Sequence, residues 1–176
     1  MPTPAEFIDP NVIMFGKLFL SLVLGGVIGT ERALLAKQAA GTRTFGLVAL
    51  GSCLLIVMSN YVGGAYLGIV NFDPLRLAAG IVTGIGFLGA GVIIFRQDGL
   101  HGVTTAAGLW IVSAVGMAVG FGMYTVAIFT TLLALLMFTG MWYIENRFKH
   151  IFEKVDRKDI LGDPFSDKSA SDSDRI

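Results

Sequence analysis

The sequence predicts an all-α integral membrane protein, a compact glycine-rich bundle of five transmembrane helices followed by a short cytoplasmic amphipathic helix and a disordered tail. Three observations carry this. Apolar residue types make up 54% of the chain and charged types only 15%, with a mean hydropathy of +0.72, far more apolar surface than a water-soluble domain of 176 residues needs. The apolar residues fall into five runs, each long enough to cross a hydrocarbon core of about 30 Å. Several of the 23 glycines recur within those runs at four-residue spacings, which lets helix backbones approach closely. The resulting division is 1–11 as a periplasmic segment, 12–144 as the transmembrane domain, 145–161 as the basic amphipathic helix and 162–176 as the tail.

Residues 1–11 hold Pro2, Pro4, Glu6, Asp9 and Pro10 and no Lys or Arg, unlike a secretory leader, so the first apolar run is expected to remain as a spanning helix. That run covers 12–29, with Ser21, Gly25 and Gly29 on one small-residue face; Lys17, near its outer end, is expected to snorkel to the interface. A basic loop follows. Within it Glu31 lies close to the negative pole of the preceding helix, so it calls for a cationic partner, and Arg43 is the candidate. The second span covers 45–61. Asp73-Pro74 then reads as a helix cap and first-turn residue, with Arg76 expected to stand beside Asp73 as an ion pair at the outer mouth of the bundle.

The third span, 77–95, carries Gly80, Gly84, Gly86, Gly89 and Gly91. Glycine in a helix costs about 1 kcal/mol relative to Ala, so this cluster implies close backbone contact or a local break, and the segment reads as the one the others pack against. Gly84 to Gly89 also matches a dinucleotide fingerprint, but no preceding strand or following acid supports it. Gln97-Asp98-Gly99 makes a turn, and the fourth span covers 102–119 with Gly108, Val112, Gly116 and Gly120 along another close-packing line. Trp110 falls mid-span and is expected to face protein. The fifth span, 123–144, has one glycine and is expected on the lipid side, with Trp142 and Tyr143 in the interfacial belt. Beyond it Phe148, Ile151, Phe152 and Val155 repeat at helical spacing among Lys and Arg, a pattern for an anionic membrane surface or a partner.

The formal charge is zero, but its distribution is informative. Eleven Lys and Arg lie in the loops after spans one and three and in the C-terminal segment, against one on the opposite side. The N-terminus is therefore expected outside and the C-terminus in the cytoplasm. The single cysteine, Cys53, excludes a disulfide framework or cysteine metal site, and nothing in the charge pattern indicates nucleic acid. A weak echo relates Leu24 to Arg32 with Leu88 to Arg96, and Gly41 to Leu47 with Gly102 to Leu109, the pattern of a duplicated helical hairpin.

The ordered motifs Gly29-Thr30-Glu31-Arg32, Ala40-Gly41-Thr42-Arg43-Thr44, Asp73-Pro74-Leu75-Arg76, the glycine run 84–91 and Gly102-Val103-Thr104-Thr105-Ala106-Ala107 with Trp110 closely resemble the MgtC/SapB membrane family. The resemblance covers about 15–140. It implies a bacterial inner-membrane protein linked to growth at low magnesium, acting either as a transporter of Mg²⁺ or another cation, or as a non-transporting regulator that touches a partner such as the F-type ATP synthase. It also implies virulence-related roles and a homo-oligomer, with a dimer the expected form. The best-studied member continues into a cytoplasmic ACT-like domain, and regulation through such a domain is not carried over, since only 145–176 follows the last span here. Thr42 and Phe45 replace the bulkier apolar residue and the histidine of many members. Candidate ion- or ligand-pathway residues are Glu31, Arg43, Thr44, Asp73, Arg76, Thr104 and Thr105, with Glu31 and Asp73 as the acidic candidates for Mg²⁺. No resident cofactor is expected, and neither His101 nor His150 has the surroundings of a catalytic group.

Overall fold

A computed structural model describes residues 9–34, 40–65, 73–97 and 99–161, with side chains of the last helix described to Ile144. Lys37, Asp98, the side chains of Arg96 and Trp142, and the segments 1–8 and 162–176 lie outside the described residues. So do the apolar and basic faces expected over 145–161 and the tail.

The chain folds as α1 (Pro10–Leu34), α2 (Thr42–Ala65), α3 (Pro74–Val92), a two-stranded hairpin of β1 (Ile94–Arg96) and β2 (Gly99–His101), α4 (Val103–Gly120) and α5 (Tyr124–Leu161). Among the described residues five helical segments are long and apolar enough to cross a membrane: Pro10–Leu34, Thr42–Gly64, Pro74–Val92, Val103–Gly120 and Tyr124–Met141. The fold class read from the sequence is therefore the observed one. Among the described residues, those up to Thr139 form one compact unit and 140–161 belong to a second.

Helices α2 and α4 form the centre. Half of the α4 span and 39% of the α2 span are buried, against 17% for α3 and α5. Their contact is made by small residues. A Cβ at Gly25 of α1 would lie 2.6 Å from Ala49 Cβ, and one at Gly116 of α4 would fall against the Ala49 carbonyl oxygen from the other side. Gly29 is equally tight against Thr42 and Phe45, Gly108 against Phe45, and Gly120 against Ile56. The four-residue lines read on α1 and α4 thus both close onto α2. Phe45, fully buried, fills the space between Ile28, Leu109 and Val112. Across the same contact the Ser52 and Ser113 hydroxyls bond each other at 2.9 Å.

The third span departs from expectation. It is an unbroken helix, and it packs through a single line, Ile81, Ile85 and Gly89. Gly80, Gly84, Gly86 and Gly91 have nothing within 4 Å of a notional Cβ. The segment expected to be the one others pack against is thus peripheral. At 100° per residue, the positions that share a face with Gly89 are Ile81 and Ile85, so Gly80 and Gly84 point elsewhere.

Helix α3 also stops earlier than the apolar run does. Ile93 is an extended C-cap, and Ile94–Arg96 pairs antiparallel with Gly99–His101 in the register Ile94↔His101, Phe95↔Leu100. Gly102 then turns the chain into α4 with φ +89, and a Cβ there would strike the Val92 carbonyl oxygen. Only glycine fits this left-handed close approach.

The repeat echo has a counterpart in the contacts. Gly25 meets Phe45 across α1 and α2, and Gly89 meets Ala106 across α3 and α4; the echo pairs Gly25 with Gly89 and Phe45 with Ala106.

Candidate functional site: an enclosed acid and base at one end of the bundle

Helix α1 continues past Gly29 to Leu34, so Glu31 and Arg32 belong to its last turns rather than to a loop. The absence of side chains at Gly29 and Gly41 lets the start of α2 lie directly against this turn, with Gly41 O 2.8 Å from a Cβ at Gly29. Thr30 Oγ1 donates to Gly26 O at 2.8 Å and receives a bond from the Thr42 hydroxyl at 3.0 Å, which ties the two helix ends together.

The result is enclosure of two opposite charges. Glu31 is 9% exposed and Arg32 is 5% exposed. Glu31 Oε2 and Arg32 Nε are buried without a hydrogen-bond partner. Arg32 is the charged neighbour of Glu31, but adjacent helix positions do not face each other, so a two-pronged ion pair cannot form. The guanidinium carbon of Arg32 instead sits 4.7 Å from the centre of the Phe138 ring of α5, a cation–π arrangement. Thr105 at the start of α4 is 2% exposed.

Other candidate residues are placed apart from this pair. Glu31 and Arg43 do not meet, contrary to the expected pairing. Thr42, like Phe45 and Ala49, faces α1, and one step along the helix directs Arg43 away, where it is exposed and lines a groove between α2 and α3 with Thr44. Asp73 caps α3, accepting from the Leu75 N–H at 2.9 Å. Asp73 and Arg76 are both exposed, and no ion pair joins them. Thr104 is exposed, and Trp110, expected against protein, is 50% exposed because the buried line of α4 runs through Leu109, Val112 and Gly116.

Lys17 Nζ donates to Gly120 O at 3.0 Å, where the last carbonyls of α4 lack partners in the helix and carry its negative pole. Ser21, on the small-residue face read from the sequence, is fully buried and its hydroxyl donates to Leu18 O. The role of Phe138 had no signal in the sequence, because an aromatic residue in an apolar span is unremarkable without its neighbour. Arg32 had one, its position beside a helix-terminal acid. Among the described residues no group of three or more His, Cys, Asp or Glu is placed to hold a metal ion.

Five apolar helices that enclose an acid and a base at one end define a multi-pass membrane protein with charge held inside its bundle. Residues 18–147 match the model of the MgtC family, and the chain belongs to that family. It is 42% identical over 123 residues to YhiD of Escherichia coli K12, whose name gives it provisionally as a magnesium transporter; the match covers 69% of this chain and 57% of YhiD. It is 39% identical over 136 residues to SapB of Bacillus subtilis, covering 74% and 56% of the two chains. Against MgtC of Brucella abortus it is 42% identical over 111 residues, covering 63% and 44%. The chain thus spans about half the length of these relatives. No solved structure matches it.

Proposed function

We propose that the protein handles a cation in the bacterial inner membrane and serves magnesium homeostasis or adaptation to low magnesium, as a transporter or sensor of Mg²⁺ or a related ion. One observation supports this above the others: Glu31 keeps a buried carboxylate oxygen without a partner beside an arginine that is itself incompletely bonded. Leaving a buried polar group unsatisfied costs about 1–3 kcal/mol, more when it is charged. An ionisable residue held that way in a spanning helix is a candidate functional site. The arginine behaves as a tethered counter-ion. A mobile cation that reaches Glu31 takes over the neutralising role, while Phe138 retains the displaced guanidinium.

Mg²⁺ keeps several waters and needs only one or two carboxylates, so a single glutamate suffices for a transient site. Asp73 lies on the opposite side of the bundle, at the other end of its spanning helix, and serves as the second acidic station. The magnesium in YhiD's name agrees with this reading. The loop charges orient the N-terminus to the periplasm and the C-terminus to the cytoplasm. The test is Mg²⁺ flux into liposomes containing the purified protein, together with growth at low magnesium. Glu31→Gln is expected to abolish both at unchanged membrane abundance. Wild-type flux and growth in that variant would refute the assignment.

A second reading is favoured by the open glycine face of α3, where Gly80, Gly84 and Gly91 leave the backbone accessible. Such a face suits helix–helix contact, with a second copy in a dimer or with a membrane partner such as the F-type ATP synthase. No flux, together with stoichiometric recovery of a partner that Gly84→Leu abolishes, would establish this regulator role instead.

A further inference from the structure

Helices α2 and α3 diverge around a groove of about 630 Å³ that the ion-handling reading does not use. Gly51 on α2 and Gly80 and Gly84 on α3 contribute no side chains, and nothing approaches within 4 Å of a Cβ at any of them. Leu55 and Leu88 continue the apolar walls, and Arg43 stands at one end. From Arg43 to Leu55 the groove follows α2 for about 18 Å at 1.5 Å per residue, close to the roughly 15 Å depth of one leaflet's hydrocarbon. Its volume lies within the range of about 300–1,000 Å³ typical of small-molecule sites.

The charge pattern selects the occupant. Arg43 is exposed and makes no hydrogen bond or ion pair among the described residues, and no carboxylate lines the groove. A guanidinium fork matches a phosphate in two parallel hydrogen bonds. Among the described side chains a second copy of the chain offers no such match: Glu31 is enclosed, and Asp9 and Asp73 lie at the opposite end of their helices. We infer that the α2–α3 groove binds one anionic phospholipid from the leaflet on the Arg43 side, with an acyl chain along Gly51, Gly80 and Gly84 and the phosphate on Arg43.

The test uses the whole chain purified in mild detergent, probed with phosphatidylglycerol and phosphatidylcholine by native mass spectrometry and thermal unfolding. Phosphatidylglycerol is expected to be retained at one per chain and to raise the melting temperature, with phosphatidylcholine doing neither. Arg43→Gln should weaken phosphatidylglycerol binding about tenfold, the loss of one charge-assisted contact. Gly84→Leu should block the groove without disturbing the fold, because its side chain enters open space. Glycerol 3-phosphate at the same concentration should not stabilise the protein, since the apolar walls then go unfilled. Equal retention of both lipids, full lipid preference in either variant, stabilisation by glycerol 3-phosphate alone, or a lipid-independent dimer that Gly84→Leu dissociates would each overturn the inference. Failure of Glu31-dependent flux leaves this readout unaffected.

Discussion

Adding one methyl group at Gly116 should destabilise the protein, whereas the same change at Gly84 should not. A Cβ at Gly116 falls against the Ala49 carbonyl oxygen and lies 2.9 Å from both the carbonyl carbon and the Cα of that residue. These are backbone atoms within a helix, so no side chain can rotate away. Ordinary van der Waals contact requires α2 and α4 to separate by at least about half an ångström, and overpacking of this kind costs about 1–3 kcal/mol. The same separation stretches the Ser52–Ser113 bond, 2.9 Å in the native protein, toward the edge of useful geometry. An interhelical bond in a membrane protein is worth about 0.6 kcal/mol. The better helix propensity of Ala returns up to about 1 kcal/mol, leaving a net loss of about 0.5–2.5 kcal/mol. At Gly84 nothing lies within 4 Å, so only the propensity term remains and Gly84→Ala should be neutral or stabilising by up to about 1 kcal/mol. Thermal unfolding in detergent, followed by far-ultraviolet circular dichroism, measures both. Equal melting temperatures for Gly116→Ala and the wild type, or equal losses for the two variants, would refute the packing argument.

Lys17→Met should lower stability by about 1 kcal/mol, because the Gly120 carbonyl loses its donor; an unchanged melting temperature would mean the amine is equally well solvated elsewhere. Phe138→Leu keeps the apolar volume but removes the ring under Arg32, and a loss of about 0.5–2 kcal/mol is expected by the same assay. Asp73→Ala should cost about 0.5–2 kcal/mol through the lost cap, whereas Arg76→Ala should be silent; matching losses would restore an Asp73–Arg76 pair. A reporter fused after Ile176 should be active only in the cytoplasm, and periplasmic activity would invert the proposed orientation.

The spans were legible because hydropathy summed over a membrane-length window leaves little room for another fold. The close-packing lines on α1 and α4 were legible as well, since small residues four apart share a face whatever that face meets. What that face meets was not legible. Gly116 and Gly84 read alike in sequence, yet one is pressed against α2 and the other opens into the groove, because the choice depends on how the helices are arranged around one another. For the same reason Glu31 was given Arg43 as its cationic partner, one residue beyond Thr42, which faces α1. The hairpin was missed because Ile94 and Phe95 extend an apolar run, and hydropathy cannot distinguish a helical end from an extended one. The left-handed turn at Gly102 leaves no trace in composition.

The two glycine tracks that close on Ala49 have a mechanical consequence. Backbone in contact with backbone resists sliding in every direction, so α1, α2 and α4 behave as one stiff body. Helix α3 is attached to that body differently, through the side chains of Ile81 and Ile85 and through Gly89, which meets Ala106 at an ordinary 3.5 Å rather than backbone against backbone. A softer seam is where a bundle yields first. The α3 seam is therefore expected to give before the glycine contacts around Ala49 do.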